Sequence, residues 1–409
     1  MITVRDKKDC CGCTACVSIC HHNAIKMHCD EVGFTFPQVD VTKCVECGLC
    51  ERVCPIQNDI TLLQPKTSTV AVATDSQEQL TSTSGGLASA FARYIITELK
   101  GVVYGCTGFD CFHVRHIRVE REEELALLKG SKYVQSDTSG IYQQIKKDLN
   151  NGRYVLFIGT PCQVVALRRF LHNEYTMLYC IEFVCHGVPS QQILTDAIKE
   201  LCLEKSDVQV SFRYKNKRKK SIRCLQLVDN DYKNVQKHHL GKIVYRKNWG
   251  TNCYITAYTH ALFYRDSCYA CKFATQKRAG DLTIGDFWDW EKEYGHIPNS
   301  KDGLSQMHIN TVHGEELVNM MGKRICTKEI SLEKLLVHSE QLREPMRRHR
   351  NNTMFLADYL EFGFEKACKK ALKEDLLKIR KDYVYRFFIS IPGLHRFYKL
   401  MKPIWRRLF

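Results

Sequence analysis

Two runs of four cysteines carry the most evident chemistry in this chain. Cys10, Cys13, Cys16 and Cys20 are separated by two, two and three residues, and Cys44, Cys47, Cys50 and Cys54 repeat that spacing. Each cysteine of the second run lies 34 residues after its counterpart, which marks an internal duplication. Three thiolates at two-residue gaps can wrap a loop around one face of an Fe4S4 cube. The fourth, carried off along a short helix, reaches the other cube. The spacing therefore predicts crossed sets: Cys10, Cys13 and Cys16 with Cys54, and Cys44, Cys47 and Cys50 with Cys20. Starting the first run at Cys11 breaks the repeat, so Cys11 is read as a spare. Cys29 matches no ligand position and is read as a packed thiol. Pro55 follows the second run but His21 follows the first. That exchange either frees an N–H for a cluster sulfur or is simple drift. Zinc is the competing chemistry, but zinc ribbons pair C-x-x-C knuckles and do not run four cysteines together.

Residues 1–60 thus resemble a bacterial-type ferredoxin with two 4Fe-4S clusters. Three later stretches also have the composition of sites. The Ser/Thr/Gly run "TSTSGGLASAF" (81–91) opens a helix, and free helix-terminal N–H groups suit a phosphate or pyrophosphate. Ser84 is expected to cap that helix, with Gly85 and Gly86 letting the backbone approach a ligand. "VLFIGTPCQ" (155–163) reads as strand, tight turn and helix, with Thr160 at the N-cap and Pro161 at the first helical position. Cys162 then falls in the first turn, where a helix N-terminus favours the thiolate, so it is expected to be a poised ligand or nucleophile. Cys185 ends the next strand, beside His186. Consecutive strands of an α/β sheet present their carboxyl ends on one edge, so Cys162 and Cys185 are expected to face one crevice. Cys268 and Cys271 form a C-x-x-C pair, and adding them makes four thiols, enough for a third cubane. The bland alternative for each is a buried inert thiol.

Around these stretches the chain alternates elements. "TVAVAT", "GVVYGCTGF", "YVLFIGT", "YTMLYCIEFVC" and "DLTIGDFW" read as buried strands, and "GGLASAFARYIITELK", "GIYQQIKKDL", "CQVVALRRFLH" and "SQQILTDAIKELCLEK" as amphipathic helices. The expected fold is an α+β ferredoxin-like head (1–62), an α/β domain with a mixed, partly parallel sheet (68–315) and a helical basic tail (316–409) broken near Pro345. "PIQNDITLLQPKTST" reads as a linker. "SFRYKNKRKKSIRCLQLVDN" reads as a hairpin with a solvated basic turn, and no aromatic stacking platform accompanies it, so no nucleic-acid partner is expected.

Six stretches, "TSGGLASAF", "GSKYVQSD", "VLFIGTPCQ", "CHGVPS", "SCYACKFA" and "DLTIGDFW", occur in this order. Together they resemble the beta-subunit family of coenzyme F420 hydrogenases and dehydrogenases. The likeness is closest to the bacterial branch with an N-terminal two-cluster ferredoxin, often found among polysaccharide-biosynthesis proteins, and it spans about residues 1–310. The resemblance implies a flavin, usually FAD, beside a 4Fe-4S cluster held by Cys162, Cys185, Cys268 and Cys271. It makes Ser84, Gly85, Gly86, Lys132, Gly159 and Thr160 the candidate flavin contacts. It implies an iron–sulfur flavoprotein oxidoreductase acting on the deazaflavin or another small-molecule acceptor or donor. The alternative is a non-catalytic electron-transfer subunit that docks to a partner enzyme.

Composition bounds these readings. The chain has 409 residues and 22 cysteines, and its opening has no apolar signal stretch, so a cytoplasmic, reduced chain is expected. No run of eighteen apolar residues suggests a membrane span. Net charge is +15 but uneven: residues 1–60 carry six Lys/Arg against eight Asp/Glu, and residues 369–409 carry twelve against three. The aromatic and basic end, "VYRFFISIPGLHRFYKLMKPIWRRLF", reads either as a peripheral contact with the inner membrane face or as a core-covering helix with a basic outer side.

Overall fold

The structure, a computed structural model, describes residues 1–201, 208–215, 221–229, 243–288 and 303–390, with side chains as far as 383. In the head, β1 (Ile25–Cys29) and β2 (Thr35–Val39) pair as an antiparallel hairpin between two short helices, Ala15–Ile19 and Leu49–Arg52. Each helix follows a cysteine loop, and the duplication is written into the backbone. Gly12 and Glu46 both have positive φ (66° and 51°), as do Thr14 and Gly48 (62° and 71°). Alternate left-handed residues curl each loop inward, a conformation only glycine adopts without cost.

The body is built on one eight-stranded sheet. Its strands are β3 (Thr67–Ala73), β4 (Val102–Thr107), β5 (Arg115–Val119), β6 (Val155–Gly159), β7 (Leu178–Phe183), β11 (Leu282–Asp286), β12 (Ser305–Ile309) and β13 (Ile325–Glu329). The order across the sheet is β13-β3-β12-β11-β7-β6-β4-β5. The run β11-β7-β6-β4 is parallel, and the remaining pairs, with β12, β3 and β13 on one side and β5 on the other, are antiparallel. This agrees with the pattern: β6 is buried at every position, as a strand covered on both faces must be. All five expected body strands and all four helices form at their expected places. A second sheet of β8 (Val208–Lys215), β9 (Ser221–Asp229) and β10 (Ile243–Asn248) contains the expected hairpin, antiparallel from Val208–Asp229 to Lys215–Ser221. Its basic turn, 216–220, lies outside the described residues, as does the chain end, 391–409, on which the membrane-contact expectation rests. Among the described residues no helix is long and apolar enough to cross a membrane.

Two expectations need correcting. The chain after residue 315 is not helical throughout, because Ile325–Glu329 is the edge strand paired with β3. Helices Leu332–Val337, Asn352–Phe362, Phe364–Ala371 and Lys373–Ser390 follow, with the break near Pro345 as expected. The segment after Pro55 is also more than a linker: Ile56 is buried, and Leu63 and Arg278 exchange backbone hydrogen bonds of 2.8 Å.

The head shares its interior with the body. Ala15, Ile19 and Val53 pack in one cluster with Tyr142, Val164, Leu167 and Phe170, and Val32 and Phe34 pack in another with Ile193 and Phe263. Below the parallel strands, the carboxylate of Glu182 on β7 is wholly buried. It accepts from Arg278 Nε at 2.6 Å, from Thr283 Oγ1 at 3.0 Å and from the N–H groups of Ala279 and Gly280. Removing one partner of such a buried pair strands the other. Glu182→Ala is expected to cost about 3–5 kcal/mol of stability, read as a lowered urea midpoint. A midpoint equal to the wild type would show that Arg278 finds other partners.

Candidate iron–sulfur and cofactor site

The first cysteine loop is sealed against the body. Burial, then the neighbouring charges of Cys10 and Cys54, push the Cys16 thiol up to about 12. Cys54 also feels Cys10, and Cys13 feels Cys16 and Cys10. The residues of the first predicted set therefore share one neighbourhood, to which Cys54 comes from the second run. The second set lies nearer solvent: Cys47 is exposed, Cys44 and Cys20 are half-buried and Cys50 is buried. Cys50 Sγ accepts the Ile2 N–H at 3.2 Å, and Cys20 Sγ accepts the Ala24 N–H at 3.4 Å. Ala24 thus supplies a donor to Cys20, and His21 is exposed. Cys29 is exposed as well, so the packed-thiol expectation for it is wrong.

Polar contacts fix the seam between head and body. Thr138 Oγ1 donates to Cys13 O and pairs with Thr14 Oγ1, both at 3.0 Å. Gln135 Nε2 donates to the carbonyls of Cys11 and Gly12. A Cβ on Gly12 would stand 2.3 Å from Gln135 Nε2, so glycine is required there for this approach as well as for its φ. The seam brings the thiol of Cys11 within hydrogen-bonding reach of both Cys13 and Cys162. Sequence spacing could name Cys11 as a non-member of the repeat, but not as the contact between head and body.

The body thiols come from three elements. Thr160 is the N-cap of helix Pro161–Leu171, Pro161 is its first residue and Cys162 lies in its first turn, as expected. Gln163 Oε1 accepts the Thr160 N–H at 3.0 Å, and Thr160 Oγ1 lies 3.2 Å from Cys162 Sγ. Cys185 follows the end of β7, and Cys268 lies in the short helix Asp266–Tyr269, with Cys271 just beyond it. Burial, then Cys162 and Cys271, raise the Cys185 thiol to about 12; burial, then Cys162, raise Cys271 to about 11. Cys268 feels Cys185, Cys271 and Cys162. The four predicted thiols therefore converge. Cys162 is not the poised thiolate the helix N-terminus suggested: its contact with Cys11 and its burial push it well up. Unmetallated, these thiols resist ionisation. Binding iron would compensate for that cost.

One feature suits a cluster here. Arg278 Nη2 is buried without a hydrogen-bond partner, and its charge favours ionised Cys185 and Cys271. It is a donor available to a sulfur-rich anion. Among the described residues no three His, Cys, Asp or Glu side chains are grouped as ligands of a single metal ion.

All four thiols line one cavity of about 670 Å³, within the range of small-molecule and cofactor sites. Its walls also include Ser84, Gly86, Lys132, Gly159 and Thr160, together with Tyr133 and Tyr258, which stack at 4.3 Å. Gly85 does not line it. Its N–H is taken by Ser305 Oγ, and a Cβ there would meet Ala71 O at 2.8 Å, so this glycine serves strand packing. Ser84 does not cap the helix either: Gly86, at φ 80°, is the N-cap of Leu87–Thr97, and Ser84 Oγ donates to Leu304 O. Sequence reading missed the far wall, where His338, Gln341, Arg343 and Met346 of the expected tail close the cavity.

Residues 9–58 match the 4Fe-4S dicluster domain, and residues 152–333 match the family described as the C terminus of the coenzyme F420 hydrogenase/dehydrogenase beta subunit. Residues 152–333 thus carry a likeness to that beta subunit, behind a 4Fe-4S dicluster domain. The dicluster match makes the chain an iron–sulfur protein. It is similar to the coenzyme F420-dependent sulfite reductase of Methanocaldococcus jannaschii, 21% identical over 389 residues. That alignment covers 92% of this chain and 56% of the relative, so the chain spans little more than half of that protein's length. Among solved structures, a chain of the F420-reducing [NiFe] hydrogenase complex of Methanosarcina barkeri aligns at 16% identity with a TM-score of 0.46, over 73% of this chain and 94% of that one.

The cavity carries its own charge control. Lys132 Nζ donates to the carbonyls of Leu128 and Lys129, and burial lowers its amine to about 8. His116 is held neutral, lowered to about 4 by burial, between Ser136 Oγ at 3.0 Å and Ile158 O at 3.1 Å. The folded chain releases the Lys132 proton near pH 8, whereas the unfolded chain keeps it to its ordinary value near 10.5. The unfolded state binds more protons between those values, so this group makes stability rise with pH across that window. Lys132→Met is expected to remove that rise, seen as a wild-type-minus-variant stability difference that grows from pH 8 to 10. A flat difference would mean the amine is not perturbed.

Proposed function

We propose that the chain is an iron–sulfur flavoprotein oxidoreductase that relays electrons between a carrier and a two-electron reaction in the cavity. In this reading Cys10, Cys13, Cys16 and Cys54 hold one 4Fe-4S cluster, and Cys44, Cys47, Cys50 and Cys20 hold a second. Cys162, Cys185, Cys268 and Cys271 hold a third, and the cavity takes a flavin, FAD by resemblance. Bound, the clusters supply single-electron steps and the flavin supplies storage for two.

The observation that carries the proposal is the shared wall: the convergent body thiols and the helix start at Gly86 open onto the same cavity. The first-turn N–H groups of helix Leu87–Thr97 are left unpaired by the helix itself and suit a pyrophosphate. Ser82 Oγ, buried without a partner on that wall, adds a donor. Lys132 supplies a cation below pH 8, and Tyr133 and Tyr258 supply flat apolar surface. The exposed edge at Cys47 is the natural approach for an electron-carrier protein or partner enzyme. A cavity of this size also favours the catalytic reading over an electron wire without a substrate. The deazaflavin is one candidate substrate, on the likeness to the sulfite reductase and hydrogenase proteins.

The test is flavin released by acid, counted with iron, on anaerobically reconstituted full-length protein. About one flavin per chain is expected, falling severalfold in Lys132→Met with iron unchanged. Retention of neither FAD nor FMN after gel filtration would remove the flavoprotein reading and leave the electron-transfer subunit.

A further inference from the structure

Arg265 crosses the seam from body to head. It belongs to the body, just before helix Asp266–Tyr269, yet its side chain lies inside the head and is 1% exposed. Nε donates to Cys10 O at 2.6 Å, and one terminal nitrogen donates to Thr35 O at 2.7 Å and to Cys10 Sγ at 3.4 Å. The other donates to Gln135 Oε1 at 3.2 Å. The guanidinium carbon stands 4.5 Å from the ring centre of Phe36 and 5.5 Å from that of Phe34. Gly12 has no side chain in the way: a Cβ there would meet the guanidinium at 2.9 Å.

The charge of this side chain is unbalanced. Every partner above is a neutral oxygen, an aromatic face or the Cys10 sulfur, and among the described residues no carboxylate pairs with it. A buried cation is costly unless an opposite charge stands beside it. Other buried arginines here have one: Arg278 has Glu182 and Arg213 has Asp286. For Arg265 the one group present that can become anionic is the Cys10 thiolate, with whatever it ligates. The backbone of the same residue faces the other way, because Arg265 O accepts the Cys268 N–H at 2.8 Å.

We infer that Arg265 is a positioning and potential-setting residue for the head cluster bound through Cys10, raising its reduction potential above that of a cluster without such a neighbour. The inference rests on the cluster assignment proposed above. A cluster gains one negative charge on reduction, and a fixed cation with a hydrogen bond to a ligand sulfur stabilises the reduced form. The second head cluster, on the solvent-facing side, has no buried arginine on a ligand sulfur among the described residues; the Met1 amine beside Cys50 and Cys44 is exposed and paired with Glu51. The duplicated quartets are therefore made unequal by a residue outside the duplication.

The test is an EPR-monitored redox titration of the anaerobically reconstituted full chain, with dithionite as reductant, comparing wild type, Arg265→Lys and Arg265→Gln. In Arg265→Gln one head cluster is expected to become harder to reduce, its reduced-to-oxidised ratio at fixed potential falling about tenfold, or about 59 mV for one electron. Arg265→Lys should shift less, and the other clusters should not move. Unshifted potentials in variants that retain full iron would overturn the inference. A second readout needs no variant to fold differently: with ¹⁵N-arginine in wild-type protein, pulsed EPR should show nitrogen coupling to one reduced head cluster. That coupling should survive Arg169→Lys, which removes the arginine bonded to Arg52 O near Cys54. Its absence would overturn the inference even if both Arg265 variants lose iron. A wild-type chain with no reducible 4Fe-4S signal would instead sink the cluster assignment, and this inference with it.

Discussion

The architecture depends on the packed seam between the cysteine-rich head and the α/β body. Alone, a fold of about sixty residues has little interior to bury. Here Ala15, Ile19 and Val53 complete a core begun by Tyr142, Val164 and Phe170, so neither part is closed without the other. The consequence is positional. Cys13 is fixed through Thr138, and Cys11 is fixed through Gln135, within reach of Cys162 at the start of a body helix. A flexible tether between the parts would lose that registration.

The sheet supplies the other half of the geometry. The strands β6, β7 and β11 run parallel, so their carboxyl ends open on one edge, and Gly159, Cys185 and Asp286 all reach the cavity from it. Beneath that edge Glu182 neutralises Arg278 while leaving one of its nitrogens unpartnered near Cys185 and Cys271. The cavity then has two chemical ends. One is thiol-rich and meets the seam. The other, around Gly86 and Lys132, suits an anion. Thiols held this high are costly to ionise as they stand, and the compensation expected is metal.

The head quartets were legible because cluster ligation fixes both residue type and spacing, and because the duplication checks itself. The body strands were legible because strands covered on both faces read as unbroken apolar runs. What was hidden depended on tertiary contact. Ser84 looked like a cap, but a bond to Leu304 O on a distant strand competes for its hydroxyl. Gly85 looked permissive toward a ligand, but β3 and β12 need its missing side chain. Cys162 looked acidic from its helix position, but burial and Cys11 outweigh the helix end. Arg265 carried no sequence signal at all, since its partners lie 130 and 255 residues away.

On the function proposed above, this seam lines up three cluster sites, from exposed Cys47 through the Cys10 set to the cavity thiols. The most direct measurement is iron and acid-labile sulfide per chain, on anaerobically reconstituted full-length protein and on the double variant Cys185→Ala/Cys271→Ala. About twelve irons are expected in the first and about eight in the second, with the head clusters intact. About eight irons in both would contradict it, leaving the convergent body thiols without a cluster to hold.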